Sequence, residues 1–316
     1  MEVRGLRVQE QPQWAEYCQK EWEHGDVCAP VSEIDMNKPV PDGTERTYWV
    51  VEENDNVQAG FTTRIAPGKR SCFLGDTYWL DLWIATPYRG KIEDELLQEC
   101  ETVLAQKGVT RITTRIADFN SRFVVLFKEK GYQELYKEDT FIREGSLPIT
   151  ELMLGYYKKT KEKVDLRISK NLREDIKTYT ALVNEISAEI PNMSQIHEEH
   201  LDSVMYQGQR HMIGVWIFAE VKEVPAGFIG ALISFQKVFN KNRVVGRVLN
   251  NGVLKEFRGM GIGSALYVEM LQEMRKWNAE YILDYMVMED NLPERTLLKE
   301  LGFVPAQKHV KIQKVI

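Results

Sequence analysis

The clearest pattern of apolar and polar positions lies in the last quarter of the chain. A β-type run over 244–253 ends in a glycine-rich turn, and apolar side chains recur at helical spacing after that turn. A short apolar run over 281–287 predicts a buried strand, and a second helix is expected to end at Glu300. The pattern therefore predicts the order strand, turn, helix, strand, helix. The helix after the turn is identified by Ile262, Ala265, Leu266, Met270 and Met274.

The same order of elements recurs in the first half, which indicates an internal repeat. There we expect a helix over 95–107, a strand over 109–116 and a helix over 120–130. The spacing from the turn arginine to the later glycine is 42 residues in the first copy and 44 in the second. Single residues also correspond between the copies: Arg89 with Arg258, Gly90 with Gly259, Asn120 with Asn291, and Gly131 with Gly302.

A break between the two copies predicts two domains. The segment Gly145-Ser146-Leu147-Pro148 interrupts the strand pattern, a short helix is expected over 149–157, and 158–163 is highly charged. We therefore expect a first domain at 1–144, a linker at 145–163 and a second domain at 164–316. The other elements expected in the second domain are strands over 164–169, 211–220 and 226–235 and helices over 172–189 and 194–207, and in the first domain a helix over 12–24.

The turn after residue 253 has the composition of an anion site. Glycines let backbone amides approach a ligand closely, and the start of the following helix offers free N–H groups and the positive end of its dipole. Arg258 can add charge-assisted hydrogen bonds. Two common phosphate loops do not fit: no lysine follows Gly263 as a P-loop requires, and no third glycine completes a dinucleotide fingerprint.

The order Arg-x-x-Gly-x-Gly, formed by Arg258, Gly261 and Gly263 between a strand and a helix, resembles motif A of the GNAT superfamily of acetyl-CoA-dependent N-acetyltransferases. Asn291, followed after ten residues by Gly302-Phe303, is similar to the closing motif of that family. The resemblance implies an α/β fold of mixed sheets (α+β type), with two GNAT domains in tandem. It assigns coenzyme binding to Val253, Leu254, Lys255, Arg258, Gly259, Met260, Gly261, Ile262, Gly263, Ser264 and Asn291.

The first copy lacks the features that the coenzyme loop requires. Ile92 stands where the second copy has Gly261, and Asp94 stands where it has Gly263. A β-branched side chain disfavours positive φ, and the three acids over 93–95 would repel a pyrophosphate. We therefore expect the first copy not to bind coenzyme A in the usual way, but to pack against the second copy and wall off part of the acceptor pocket.

For the second copy, the resemblance implies direct attack of an amine on the thioester. The backbone N–H of Val253 would stabilise the thioester oxygen, and the sheet would splay between the strand of Val253 and the strand of Tyr281. The tyrosine that serves as general acid in many relatives corresponds to Leu298 here, and to Phe127 in the first copy. The substitutes to test are Tyr285, Tyr267 and water.

The candidates for the remaining roles are carboxylates and amides on predicted strands. Asp284 and Glu220 are the candidate general bases, with solvated strand-edge carboxylates as the alternative. Asn250 and Asn251 are expected to border the acceptor site, or else to serve a bulge or a hydrogen bond, because asparagine is uncommon in buried strands. Asn291 is expected to cap the last helix or to contact the coenzyme.

Composition limits the remaining classes of function. The formal charge is −6, so nothing indicates a nucleic-acid partner, and no apolar run approaches the roughly 20 residues needed to span a bilayer. No signal-like segment begins the chain and its four cysteines form no Cys-x-x-Cys pair, so we expect a cytoplasmic protein with free thiols and no membrane association. His197 and His200 share a predicted helix face without further ligands, so no metal site is predicted.

These features lead to one main hypothesis and two alternatives. The main one is an acyl-CoA-dependent N-acyltransferase, with acetyl-CoA as co-substrate, acting on a primary amine of a small molecule. The alternatives are acetylation of a protein lysine or N-terminus, and a coenzyme A-binding sensor or scaffold without turnover. Monomer and homodimer both remain open, as does the identity of the amine.

Overall fold

The computed structural model describes residues 2–12, 45–53, 56–65, 77–84, 90–118, 121–189, 198, 213–238 and 241–316. Two compact units are present: the first contains Met1–Glu138 and Gln307–Ile316, and the second contains Asp139–Ala306. The helices expected over 12–24 and 194–207 fall largely outside the described residues, as do Arg89, Asn120, His197 and His200.

The described elements mix strands and helices, as the sequence predicts. In the first half of the chain these are β1 (Glu2–Gly5), β2 (Glu45–Glu53), β3 (Asn56–Ile65), β4 (Thr77–Ile84), α1 (Glu93–Gln106), β5 (Arg111–Ala117), α2 (Ser121–Glu129) and β6 (Gln133–Glu144). The remaining elements are α3 (Glu151–Lys161), β7 (Asp165–Ile168), α4 (Leu172–Ser187), β8 (Ile213–Val221), β9 (Val224–Val238), β10 (Lys241–Val253), α5 (Ile262–Lys276), β11 (Tyr281–Met288), α6 (Leu292–Glu300) and β12 (Val304–Val315). Within the described residues, no helix is long and apolar enough to cross a membrane.

The first unit is a mixed sheet with helix α1 packed on one face. Strands β1 to β4 are antiparallel neighbours, and β4 pairs in parallel with β5 over only three residue pairs, from Thr77–Arg111 to Trp79–Thr113. Helix α1 places its apolar stripe against the sheet because those residues recur every three to four positions. The buried side chains of this core include Leu96, Leu97, Cys100, Leu104, Ile112, Ile116, Phe123 and Phe127.

The end of the chain differs from the expected domain bounds. Residues 307–316 belong to the first unit, because β12 pairs antiparallel with β5 from His309–Ala117 to Val315–Arg111. The expected linker is also structured: α3 runs through Lys161, its N-cap Thr150 accepts a hydrogen bond from the Met153 amide, and lysines fill its last turn. Lysines at a helix C-terminus are favoured by the helix dipole, so this charged run continues the helix.

The second unit is a sheet with helices on both faces. Its strand order is β6-β11-β10-β9-β8-β7, with β10 and β11 parallel and β7 to β10 antiparallel neighbours. Alternate residues of β8 join different cores: Val215, Ile217 and Ala219 pack with α5, whereas Trp216 and Phe218 pack with Tyr179 of α4. Because alternate residues of a strand point to opposite faces, both faces of β8 are buried. A mixed sheet covered by helices on both faces confirms the predicted α/β class.

Candidate functional site

The glycine-rich turn has the backbone geometry that an anion site needs. After β10 a single 3-10 turn, Lys255–Phe257, leads to Gly259 and Gly261, both with φ of 82°. Gly261 is the N-cap of α5, and a Cβ built on it would lie 2.6 Å from Thr160 Oγ1. Any side chain at Gly261 would therefore meet both an unfavourable φ and a buried hydroxyl.

The amides of this turn are available to a ligand. Among the described residues, none is found to accept a hydrogen bond from the N–H of Gly259, Gly261 or Gly263, and the first turn of α5 carries no acidic residue. Free N–H groups at the start of a 15-residue helix combine with the positive end of its dipole. The turn is therefore chemically suited to a phosphate or diphosphate.

Arg258 is held beside the same turn. Its Nε donates to the Val253 carbonyl at 3.1 Å, and its guanidinium lies 2.7 Å from a carboxylate oxygen of Glu189. Both side chains of the ion pair are almost half-exposed, so the pair is weak and exchangeable. An anion arriving at the turn would meet an arginine that is already oriented.

The sheet opens next to this turn. Strands β10 and β11 pair only from Val245–Tyr281 to Val248–Asp284, although β10 continues to Val253 and β11 to Met288. The Leu254 N–H donates to the Ala226 carbonyl on β9, and neighbouring amides in an antiparallel ladder point in opposite directions. The N–H groups of Val253 and Asn251 therefore face the opening, which lies between the two strands where the sequence predicts the splay. The donor role of Val253 stays a prediction.

Neighbouring residues of a strand point to opposite faces, and a β-bulge between Val248 and Asn250 decides which face each of the two asparagines takes. On the α4 face, Asn250 Oδ1 accepts a hydrogen bond from the Tyr179 hydroxyl at 2.7 Å. On the α5 face, Asn251 Nδ2 lies 2.9 Å from the Tyr267 hydroxyl. Without the extra residue of the bulge, Asn250 would share the α5 face with Val248.

Four polar side chains converge on the α5 face beside the opening. The Tyr267 hydroxyl lies 2.6 Å from Asp284 Oδ2 and 3.0 Å from Glu294 Oε1, and Asn251 Nδ2 donates to that same Glu294 oxygen at 2.8 Å. Asp284 is only 2% exposed, and burial together with the charge of Glu294 raises the pKa of its carboxyl well above the usual range. Burial also raises the pKa of Tyr267.

Glu294 was missed by sequence reasoning. It stands three residues after Asn291, whose side chain accepts from the Glu294 amide at 3.4 Å and donates to its carboxylate at 2.6 Å. This arrangement is related to a capping box, except that the Glu294 carboxylate accepts from the side-chain amide of Asn291 and not from its backbone N–H. The spacing Asn-x-x-Glu before an apolar helix was the available signal. The arrangement also agrees with the expected capping role of Asn291.

The other candidates are spread more widely. Glu220 lies on β8, two strands from β10, and forms an ion pair with Arg167 at 3.2 Å. Tyr285 faces away from Asp284, and its ring is stacked by Arg247 at 4.8 Å. Of the predicted coenzyme residues, Leu254 and Ile262 are buried, Val253, Gly263 and Ser264 are half-buried, and Lys255, Met260 and Asn291 are exposed. Leu298, the position of the usual acid, is fully buried in the core.

The corresponding turn of the first unit is closed by its own side chain. The carboxylate of Glu93 accepts hydrogen bonds from the amides of Gly90 and Ile92, the latter at 3.1 Å. Ile92 takes the N-cap position of α1 with φ of −120°, so the backbone does not adopt the left-handed geometry of Gly261. The amides that stay open in the second unit are thus occupied in the first.

A cavity of about 500 Å³ lies at the other end of α5. Arg275 and Asn278 line it, together with Arg243 and Glu280, which pair with each other. A 15-residue helix is roughly 22 Å long, so this cavity is remote from the turn at Gly261. Its cations have partners: Arg275 donates to the carbonyl oxygens of Gly145 and Leu147.

Comparison with known proteins agrees with this geometry. Residues 180–303 match the family described as "Acetyltransferase (GNAT) family", a range that includes the turn, the opening and the four-residue polar cluster. No curated protein matches the chain with significant sequence similarity.

Solved structures extend the likeness to the whole chain. A tandem GNAT protein from the clavulanic acid biosynthesis pathway superposes with a TM-score of 0.73 at 16% identity, covering 99% of this chain and 98% of that one. A GCN5-related N-acetyltransferase from Sphaerobacter thermophilus gives a TM-score of 0.70 at 15% identity, with coverages of 99% and 95%. N-myristoyltransferase of Saccharomyces cerevisiae, with bound myristoyl-CoA, gives 0.64 at 12% identity, with coverages of 99% and 79%. Residues 180–303 are therefore a domain of the GNAT family, and the chain as a whole has the fold of tandem GNAT proteins.

Proposed function

We propose that the second unit transfers an acyl group, with acetyl as the expected group, from acyl-CoA to the primary amine of a small molecule. The observation that carries this proposal is the turn over 258–263. It combines two glycines with positive φ, open backbone amides and a helix start directly beside a splayed sheet. A diphosphate on that turn would direct the rest of the coenzyme along the opening between β10 and β11.

The residues that hold the coenzyme act through charge and backbone donors. The amides over 259–264 and the Arg258 guanidinium would bind the diphosphate. Moving the guanidinium from Glu189 to the diphosphate would cost little free energy, because both side chains of the ion pair are exposed to water. This arrangement needs no bound metal. The family match supports an acyltransferase in general, and the choice of acetyl-CoA belongs to this proposal.

The residues beside the opening supply the chemistry. When the amine attacks the thioester carbon, negative charge develops on the thioester oxygen. The N–H group of Val253 or Asn251 would stabilise that charge by donating a hydrogen bond to the oxygen. One such donor typically lowers the barrier by roughly 3–4 kcal/mol. The carbon–nitrogen bond forms, the carbon–sulfur bond breaks, and the amine loses a proton to a base or to water.

Binding and turnover can be measured separately. Titration calorimetry with coenzyme A and acetyl-CoA tests the site, and thiol release from acetyl-CoA tests transfer. The acceptors are a polyamine, an amino sugar, an amino acid and a lysine peptide. We expect thiol release above background with at least one small amine. Release only with the lysine peptide would support a protein acetyltransferase, and binding without release would support a sensor. Absence of coenzyme binding would refute the proposal.

The acyl group is a second arm of the same experiment. The similarity to an N-myristoyltransferase concerns the fold alone, so acetyl-, butyryl- and myristoyl-CoA should be compared with the same amine. We expect the highest kcat/KM with acetyl-CoA. A preference for myristoyl-CoA would overturn the choice of acetyl group without affecting the choice of reaction.

A further inference from the structure

The polar cluster beside the opening contains more hydrogen-bond contacts than a tyrosine and two ionised carboxylates can satisfy. The Tyr267 oxygen has three polar neighbours: Asp284 Oδ2 at 2.6 Å, Glu294 Oε1 at 3.0 Å and Asn251 Nδ2 at 2.9 Å. The amide of Asn251 brings its own proton. The two oxygen–oxygen contacts need one proton each, and the tyrosine hydroxyl supplies only one. One of the two carboxyl groups must therefore carry the second.

The position of that proton follows from the surroundings of the two carboxyl groups. Glu294 is half-buried, and its two carboxyl oxygens accept hydrogen bonds from the side-chain amides of Asn251 and Asn291. Asp284 is fully buried, and its pKa is raised by burial and by the charge of Glu294, against the opposing effect of the Tyr267 hydroxyl. Arg295, next to Glu294 on α6, pairs with Asp139 at 2.6 Å. The proton therefore belongs to Asp284, which donates to Tyr267, which in turn donates to Glu294.

The cluster connects the four elements around the opening. Asn251 lies on β10, Tyr267 on α5, Asp284 on β11 and Glu294 on α6. Glu294 is also one helical turn before Leu298, so the two residues share a face of α6. Leu298 is an aliphatic side chain buried in the core and has no proton to give. Glu294 thus offers an ionisable group one turn from the position where a proton donor is missing.

We propose that Asp284, Tyr267 and Glu294 form a proton relay that protonates the departing coenzyme A sulfur. This inference rests on the proposed acyl transfer. The Asp284 proton moves to the Tyr267 oxygen while the Tyr267 proton moves to a Glu294 oxygen, and Glu294 then protonates the thiolate. Asp284 is left as a carboxylate and recovers a proton, by way of solvent, from the one that the acceptor amine loses. Glu294 is the catalytic residue, and Asp284, Tyr267 and Asn251 are positioning residues.

The shared proton can be observed without any substrate. Infrared difference spectra between the wild type and Asp284→Asn, recorded at neutral pH in normal and heavy water, should contain the carbonyl stretch of a protonated carboxylic acid. The same band should persist in Glu294→Gln. If the wild type lacks the band, or if the band disappears in Glu294→Gln rather than in Asp284→Asn, the proposed assignment of the proton is wrong.

The kinetic test uses acetyl-CoA and whichever amine of the panel above releases thiol fastest. Glu294→Gln keeps the shape of the side chain and should lower kcat by about 100-fold, the lower range for acid–base catalysis because a thiolate is a modest base. The KM for acetyl-CoA and the affinity for coenzyme A should not change. The matched control is Glu300→Gln, an exposed glutamate on the same helix, which should leave kcat unchanged.

The pH profile distinguishes a relay from a purely structural cluster. The wild type should lose kcat on the alkaline side, as pH rises through the elevated pKa of Asp284 and the stored proton is lost. Asp284→Asn and Glu294→Gln should both lack this alkaline decline. If coenzyme binds and thiol is released, but Glu294→Gln retains both the wild-type kcat and the wild-type profile, the relay is refuted while acyl transfer stands. If coenzyme A does not bind the wild type, the proposed function fails first.

Discussion

The two glycine turns show how one short segment either presents or consumes its backbone amides. Gly259 and Gly90 occupy corresponding positions, with φ of 82° and 79°. Two residues later the turns diverge: Gly261 has φ of 82°, whereas Ile92 has φ of −120°. In the second unit the amides stay open, and in the first the Glu93 carboxylate binds the amides of Gly90 and Ile92. A built-in carboxylate thus stands in the first unit where a ligand phosphate would stand in the second.

Two of the three acids in the first turn of α1, Glu93 and Asp94, lie beside cations of their own unit. Arg122 lies 3.5 Å from Glu93, and Lys130 lies 2.6 Å from Asp94. These acids complement the helix dipole and satisfy loop amides, which are stabilising roles that require no ligand. Their presence at the helix start would repel a diphosphate. The comparison therefore teaches that a residue with negative φ in place of Gly261, together with one capping acid, is enough to occupy the amides of such a turn.

The largest expected effect comes from making the second turn resemble the first at one position. Gly261→Val forces a β-branched residue to φ near 82° and places its Cβ against Thr160, so we expect coenzyme A affinity to fall tenfold or more, about 1.4 kcal/mol. Titration calorimetry measures the change. The matched substitution Ile92→Val in the first turn should leave affinity at the wild-type value.

Loss of fold must be separated from loss of binding in this variant. Gly108→Val provides the control, because Gly108 has φ of 77° at the end of α1. A valine there would be strained in the same way as a valine at position 261, but far along the chain from the turn over 258–263. We expect Gly108→Val to lower the unfolding temperature while preserving coenzyme affinity. Unchanged coenzyme affinity in folded Gly261→Val would refute the assigned turn.

A smaller effect is expected from Arg258. Arg258→Ala removes charge-assisted hydrogen bonds to the diphosphate, and we expect about a tenfold loss of coenzyme A affinity, near the lower end for hydrogen bonds to charged groups. Arg258→Lys should lose less, since it keeps the charge but not the guanidinium fork. Arg122→Ala in the first unit, which removes the arginine near Glu93, should leave coenzyme A affinity unchanged. Equal coenzyme affinities of Arg258→Ala and the wild type in low salt would contradict the role of Arg258.

A substitution in the first turn should change the stability of the fold and not the affinity for coenzyme A. Glu93→Ala frees the amides of Gly90 and Ile92, and the loss of such a cap typically costs about 1 kcal/mol. Urea unfolding, together with faster hydrogen exchange over 90–97, measures that cost, and coenzyme A affinity should stay constant. Glu95→Ala, an exposed acid in the same helical turn, is the control and should have little effect. A change in coenzyme affinity caused by Glu93→Ala would show that the first turn takes part in binding.

How far the sequence predicts this molecule depends on the kind of feature. Local periodicity identified α5, β11 and α6, because an amphipathic stripe and an apolar run are visible in the residues themselves. The glycine spacing likewise identified the turn. The pairing of residues 309–315 with β5 was not visible, because a C-terminal strand carries no information about which sheet it joins.

The polar cluster shows why the catalytic residues were harder to predict. Asp284 and Asn251 were candidates as single polar residues on strands. They belong to one cluster only because the β-bulge turns Asn251 towards Tyr267. Glu220 had equal standing in the sequence, yet it pairs with Arg167 two strands from β10. Glu294 was hidden in a capping spacing. Long-range contacts of this kind follow from sheet order and register, which a single sequence does not encode locally.

The smallest expected effect concerns the ion pair between Arg258 and Glu189, which has no described counterpart at the first turn. Glu189→Gln removes a competitor for the Arg258 guanidinium, so coenzyme A should bind more tightly, by up to roughly fivefold, because exposed ion pairs contribute about 1 kcal/mol or less. The gain should shrink in high salt and disappear in the Arg258→Ala background, since the two residues act through one contact. Glu185→Gln, an exposed glutamate on α4, is the control and should not change affinity. Weaker binding in Glu189→Gln would mean that Glu189 positions Arg258 for the coenzyme instead of competing with it.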